Sequence, residues 1–239
     1  MYAIILLVLI ILFIFFLTKK RSEKFYEVEN VYPRLAEIST DREKIVKEVE
    51  RIDQWTNWPE KNLWDPGRSG ATWTIFPLRA FGKVVVENCA QVPTIAKFVE
   101  EMDREYGVKI AILSKLGPGM KLVPHQGWGR HCNYVLRCHY GISVPPGCNI
   151  QVADEVTDKC NHTNKLRCCY DGYDYAMRHH ANDKWIVFDD SKLHMAENLT
   201  NSDRIVLILD IKRPDNIPVG TSNVEDTKEL ENIVASFSQ

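Results

Sequence analysis

The sequence predicts a mainly β domain, a sandwich or barrel with flanking helices, carried behind an N-terminal transmembrane helix. Three observations lead there. Residues 2–17, "YAIILLVLIILFIFFL", form an unbroken apolar run that ends at Thr18-Lys19-Lys20-Arg21. From Trp73 onward the chain breaks into short stretches rich in β-branched and aromatic residues, separated by turn signals. Finally, 239 residues at 45% hydrophobic and 26% charged suit one globular domain with appendages. A formal net charge of −2 supplies no bulk attraction to nucleic acid.

Residues 1–18 read as a membrane anchor. At about 1.5 Å per residue the apolar run reaches roughly 24 Å, just under the ~30 Å hydrocarbon core. Snorkelling of Lys19 and Lys20 closes the gap. A cleaved signal peptide would need a basic leader and a small-residue cleavage site, and neither is present. The basic cluster behind the run favours a single-pass protein with its domain on the cytosolic side. Two N-x-T sequons, at Asn161 and Asn198, argue for a lumenal side instead.

Residues 19–70 form a polar linker and an amphipathic helix. Between Thr40 and Trp55, Ile45, Val49 and Ile52 recur at spacings of four and three. Thr40 or Asp41 supplies a cap, with Glu43 close behind. "WDPGRSGA", residues 64–71, is loop composition. The main domain, 71–215, holds candidate strands at 73–77, 82–87, 108–115, 120–124, 133–144, 148–153, 184–189 and 204–211, with one helix near 91–106. Residues 154–182 read as a long polar insertion, and 216–239 as a polar tail with a helix near 224–236. Seven cysteines, an odd number without a CxxC pair, read as buried residues or free thiols of a reducing compartment.

The chemistry concentrates in two clusters. "VPHQGWGRHCNYVLRCHYGISVP", residues 123–145, carries His125, His131, Arg137 and His139. Arg137 and His139 lie two apart, so in a strand they share a face. Inside a barrel that pair is costly unless an anion meets it, while on a solvent face it needs no explanation. Downstream, a buried strand "WIVF" and a turn "DDS" precede His194, and Arg204 heads the run Ile205–Leu209. Such an arginine is either a surface charge capping the strand or a buried anion hook. His125 and His194 thus each stand near a strand edge with an arginine following. Neutral imidazole is the commonest protein ligand of divalent iron, zinc or copper. His131, His162, His179 and His180 have no partner at ligand spacing and read as loop residues, with the rim of a site mouth as the alternative for His179 and His180.

The order S…PHxG…LRxHxG…FDDSxxH…R…DIxxP resembles the aspartyl/asparaginyl β-hydroxylase family over about residues 71–215. That resemblance implies a double-stranded β-helix core (jelly roll, cupin-like) and a dioxygenase using Fe(II), with 2-oxoglutarate and O2 as cosubstrates. It implies that His125 and His194 bind the iron at the catalytic centre. Arg204 and Ser114 would hold the distal carboxylate of 2-oxoglutarate, Arg137 and His139 would sit at its keto-acid end, and Trp73 would line the same pocket. The usual iron triad reads H-x-D/E…H, but Gly127 stands where the carboxylate would be. In this the chain resembles the animal β-hydroxylases, where two histidines suffice. Asp189 and Asp190, the nearest carboxylates, read as a strand end or a hydrogen-bonding support. The implied reaction hydroxylates a C–H bond, with the β-carbon of Asp or Asn in a polypeptide as first expectation. Two alternatives stay open. One is a membrane-associated lipid (acyl-chain) hydroxylase of the same chemistry, because bacterial lipid A hydroxylases share the motifs and an apolar leading span. The other is a non-enzymatic jelly-roll binding module with structural histidines.

Overall fold

The computed structural model describes residues 22–64, 72–153 and 175–236. The expected anchor at 2–17, nearly all of the 64–71 loop and residues 154–174 of the expected insertion lie outside them. Among the described residues no helix is long and apolar enough to cross a membrane.

In chain order the elements are β1 (Phe25–Tyr26), α1 (Val28–Val31), a 3-10 segment (Pro33–Asp41), α2 (Arg42–Glu50), β2 (Thr56–Asn57), β3 (Trp73–Ala80), β4 (Lys83–Val84), α3 (Val86–Gln91), α4 (Pro93–Tyr106) and β5 (Val108–Leu116). Then follow α5 (Gly129–Cys132), β6 (Val135–Ser143), β7 (Cys148–Ala153), β8 (Tyr175–His179), β9 (Trp185–Phe188), β10 (His194–Asn198), β11 (Arg204–Lys212) and α6 (Lys228–Ser236). The protein is mainly β. A major sheet runs β1-β9-β6-β11-β5-β3-β2 with β4 on β3, and β10-β7-β8 make a minor sheet. Every strand pair described is antiparallel.

Both faces of the major sheet are covered, which explains why its strands read as almost continuous apolar runs. On one face, Phe76, Leu113, Leu136 and Leu209 pack against Leu35, Ile45, Ile95 and Met102 of the helical segments in one buried cluster. Ile45, Val49 and Ile52 are buried there, as their spacing predicts. α4 starts at Pro93, whose missing N–H is no loss in a first turn, and stops at Gly107, left-handed at φ 78°. On the other face, Ile75, Ile112, Val206 and Ile208 look across to Cys148 of the minor sheet. Cys132, Cys138 and Cys148 are buried free thiols.

Four expectations need correcting. The expected strand at 82–87 is β4 alone, two residues long, followed by α3. Phe81 and Gly82 both have positive φ, so they make a tight hairpin back onto β3, after which the strand has no partner. Residues 120–124 make single bridges, Lys121 to Glu197 and Leu122 to Trp64, instead of a strand. At the start of α2 neither Thr40 nor Asp41 caps. Thr40 Oγ1 donates to the Glu37 carbonyl (2.8 Å), and Asp41 binds Lys44 (2.6 Å). The end of the expected insertion, residues 175–179, is strand β8, fully paired with β7.

Candidate active site

Two imidazoles meet along the edge of the minor sheet. His125 and His194 form a β-bridge, exchanging backbone hydrogen bonds of 2.9 and 2.8 Å. Their ring centroids lie 4.4 Å apart. Each Nδ1 bonds to the carbonyl two residues back, Val123 at 2.7 Å and Lys192 at 2.9 Å. A carbonyl can only accept, so each Nδ1 carries the proton and each Nε2 presents a lone pair. Burial pushes His125 down to about 3, helped by the neighbouring His194, and burial likewise pushes His194 down to about 4. The pair is therefore neutral, pre-oriented and suited to donate to a metal.

Gly127 leaves room for the Asp190 side chain. A Cβ there would run into the Asp190 carboxylate, and the Gly127 N–H donates to the Asp190 carbonyl at 2.9 Å. Glycine is thus required by close approach, and Asp190 fills the space beside the histidines. Asp190 Oδ1 is 3.4 Å from His194 Nε2 and 2.6 Å from Arg137 Nη1. Burial raises the Asp190 carboxyl to about 6 against the pull of Arg137. Among the described residues no group of three His, Cys, Asp or Glu side chains stands at metal-binding distance.

Arg137 is held rather than free. Its Nε and Nη2 donate to Asp210 at 2.7 and 2.8 Å, and His131 Nε2 donates to the same carboxylate at 2.8 Å. His131, read from sequence as a loop residue, therefore buttresses the site.

Arg204 is the opposite case. It is 1% exposed, yet its Nε and Nη1 have no partner among the described residues. Burial lowers its guanidinium to about 10. Arg204 and Trp73 both pair with Leu116, so the three share the inner face of the sheet. Ser114 lies one residue pair along and accepts from Trp73 Nε1 at 3.1 Å. His139 meets His180 at 3.0 Å between Nδ1 and Nε2, leaving His139 Nε2 and His180 Nδ1 without partners among the described residues. Burial, then the His180 ring, holds His139 well below the usual imidazole range, and burial, then Arg204, does the same to His180. Sequence reasoning missed His180, because nothing local marks a residue that follows an edge strand and reaches the centre by folding. A buried guanidinium with unused donors, beside a serine and neutral imidazoles, has the chemistry to accept a carboxylate.

The turn carrying these residues is itself pinned. Arg213 donates to both oxygens of Asp189, at 2.9 and 2.7 Å, and Ser191 closes on Asp189 Oδ1 at 2.7 Å. Asp189 is thus structural. A cavity of about 320 Å3 opens from His125 and Arg137 toward Trp58, Trp73 and Trp128, and the C-terminal residues Val224, Thr227 and Leu230 help close it.

The family profile described as Aspartyl/Asparaginyl beta-hydroxylase matches residues 36–159 and 161–214. The match starts well before residue 71, in keeping with the packing of the 3-10 segment and α2 on the sheet. The chain is 26% identical over 148 residues to "Aspartate beta-hydroxylase domain-containing protein 2" of Mus musculus, covering 59% of this chain and 36% of that relative. It is 30% identical over 142 residues to "Ornithine lipid ester-linked acyl 2-hydroxylase" of Rhizobium tropici, covering 59% and 42%. The chain thus aligns with less than half the length of these relatives. A solved oxidoreductase of the 2OG-Fe(II) oxygenase family from Burkholderia pseudomallei shares the fold, at 12% identity and TM-score 0.50 over 78% of this chain and 82% of that one.

Proposed function

This chain belongs to the aspartyl/asparaginyl β-hydroxylase family, and from that premise we propose that it is an Fe(II)- and 2-oxoglutarate-dependent dioxygenase on a double-stranded β-helix core. The observation that carries the proposal is Arg204, a buried cation with unused donors whose charge acts on His139, as does His194, one of two neutral, tautomer-fixed histidines. A dicarboxylate answers the first, and a divalent metal answers the second.

In this reading His125 and His194 donate their Nε2 lone pairs to iron. Arg204 and Ser114 bind the distal carboxylate of 2-oxoglutarate, under the indole of Trp73. Arg137 and His139 stand toward the other end, with Asp210 keeping Arg137 oriented. Iron with its cosubstrates supplies the oxidising equivalents: O2 and 2-oxoglutarate give succinate and CO2 while a C–H bond becomes C–OH. The chain's own work is to orient and to exclude water, since buried apolar residues surround the polar groups.

The family favours the β-carbon of an Asp or Asn in a polypeptide as the reacting centre. A second reading, an acyl chain, draws on the largely apolar cavity beside His125 and on the acyl hydroxylase among the relatives. We also place residues 2–17 in a membrane with the domain on the cytosolic side, on the strength of the apolar run and of Lys19, Lys20 and Arg21.

The test is turnover of 2-oxoglutarate by the purified chain with Fe(II) and ascorbate, for wild type and Arg204→Ala. Losing one partner of a buried charge pair costs on the order of 3–5 kcal/mol, so KM for 2-oxoglutarate rises at least about a hundredfold. Arg204→Lys rescues in part, because a point charge lacks the planar fork. An unchanged KM refutes the cosubstrate assignment. His125→Ala and His194→Ala each abolish iron binding in a folded domain, read by metal analysis and circular dichroism.

A further inference from the structure

One buried charge takes no part in that scheme. Glu60 is 4% exposed. Its Oε1 accepts from Thr227 Oγ1 at 2.9 Å and Trp128 Nε1 at 3.2 Å, while Oε2 has no partner among the described residues. Burial raises its pKa against the hydrogen bonds of Thr227 and Trp128 and the nearby Trp58 indole, whose N–H has no hydrogen-bond partner of its own among the described residues; the carboxylate of Glu229 adds further repulsion. Glu60 and His125 line the same cavity. The other charged lining residue, Arg137, is already matched by Asp210 and Asp190. Glu60 is therefore the wall's unbalanced charge, negative, with Glu229 adding the same sign nearby.

Apart from His125, Asn62, Gln126 and Thr227, the rest of the lining is apolar or aromatic. Trp58 stacks on Trp73 at 4.5 Å and lies parallel to Trp128 at 6.0 Å, making an indole wall beside Ile75 and Ile112. Polar groups buried without a partner are costly, and a carboxylate oxygen in such surroundings is completed best by a cationic donor. Indole faces reinforce a cation through their quadrupole.

We propose that Glu60 selects the substrate by binding a cationic amine in the cavity that His125 also lines, with the aliphatic body lying along the indole wall. The claim that this body is the hydroxylated part rests on the oxygenase reading; the amine site itself does not.

The test uses the full chain and calorimetric titration with hexylammonium and with 1-hexanol, equal in length and different in charge. A charge-assisted hydrogen bond to a buried carboxylate favours the ammonium by at least about tenfold. Glu60→Gln removes that preference and leaves hexanol affinity as it was. Nα-acetyl-lysine methylamide, run beside hexylammonium, tells a peptide side chain from a free alkyl chain as the source of the amine. Equal affinity of the wild type for ammonium and alcohol overturns the proposal, whatever the variant does, because a water molecule then satisfies Glu60. A preference that survives Glu60→Gln overturns it too. Turnover of 2-oxoglutarate is scored separately: ammonium preference without turnover sinks the oxygenase reading and keeps the amine site, and turnover without preference does the reverse.

Discussion

On the helix side of β11, Leu207, Leu209 and Ile211 are fully buried among other hydrocarbon side chains. On the opposite side, the same strand presents Arg204, Val206, Ile208 and Asp210, two of them charged and both buried. One face is held by area removed from water, which any side chain of suitable volume supplies. The other is held by partners that must be there one by one. Asp210 has its partners within the chain, Arg137 and His131. Arg204 lacks them for two of its donor atoms. The difference separates a charge balanced within the chain from one whose donors stay open among the described residues.

Asp210→Ala tests that distinction most severely. It leaves the Arg137 guanidinium buried with half its support gone, at a cost of about 3–5 kcal/mol. Denaturant unfolding of the metal-free chain reads this directly, and a cost below about 1 kcal/mol would erase the contrast between the faces. Leu209→Ala, one residue away on the other face, costs about 2–5 kcal/mol through lost burial and the cavity it leaves. Leu209→Met recovers most of that, whereas Asp210→Asn recovers little, since an amide cannot accept at both oxygens.

A smaller effect comes from pH. His139 and His180 are held well below the usual imidazole range. The unfolded chain takes up those protons first, so stability falls as pH drops below about 6.5. Asp210 and Asp189 are depressed carboxylates: burial alone would raise them, but Arg137 and Arg213 win. Their contribution is present above the unfolded value and is lost in a second, steeper stage below about pH 4. Unfolding midpoints of the metal-free chain between pH 8 and 3 should show both stages. A profile flat down to pH 4 removes the histidines from the account.

The smallest change in folding belongs to Arg204→Ala. No carboxylate partner is broken and a desolvated charge is relieved, so stability shifts by about 1 kcal/mol or less, in either direction. The same variant is the one expected to lose 2-oxoglutarate. A stability loss comparable to that of Asp210→Ala would mean that Arg204 has a structural partner after all.

The strands β3, β5, β6, β7, β9 and β11 were legible because their apolar, β-branched runs are local, and each expected range lies within three residues of the observed one. His125, His194, Arg204, Arg137, His139, Ser114 and Trp73 were legible because their order along the chain resembles a family. Short elements escaped. β1, β2 and β10 have too little pattern of their own, and the strand expected at 82–87 had pattern but found no partner. The sequence by itself therefore determined the class of fold and the candidate ligands, since spacing and residue type are written along the chain. Tertiary structure alone decided that Asp190 fills the place left by Gly127, that Asp210 orients Arg137, that His180 reaches His139, and that Glu60 shares a cavity with His125. Each joins segments 41 to 73 residues apart, or closes a cavity between them, and the charge balance that gives these groups their roles arises only when burial brings them together.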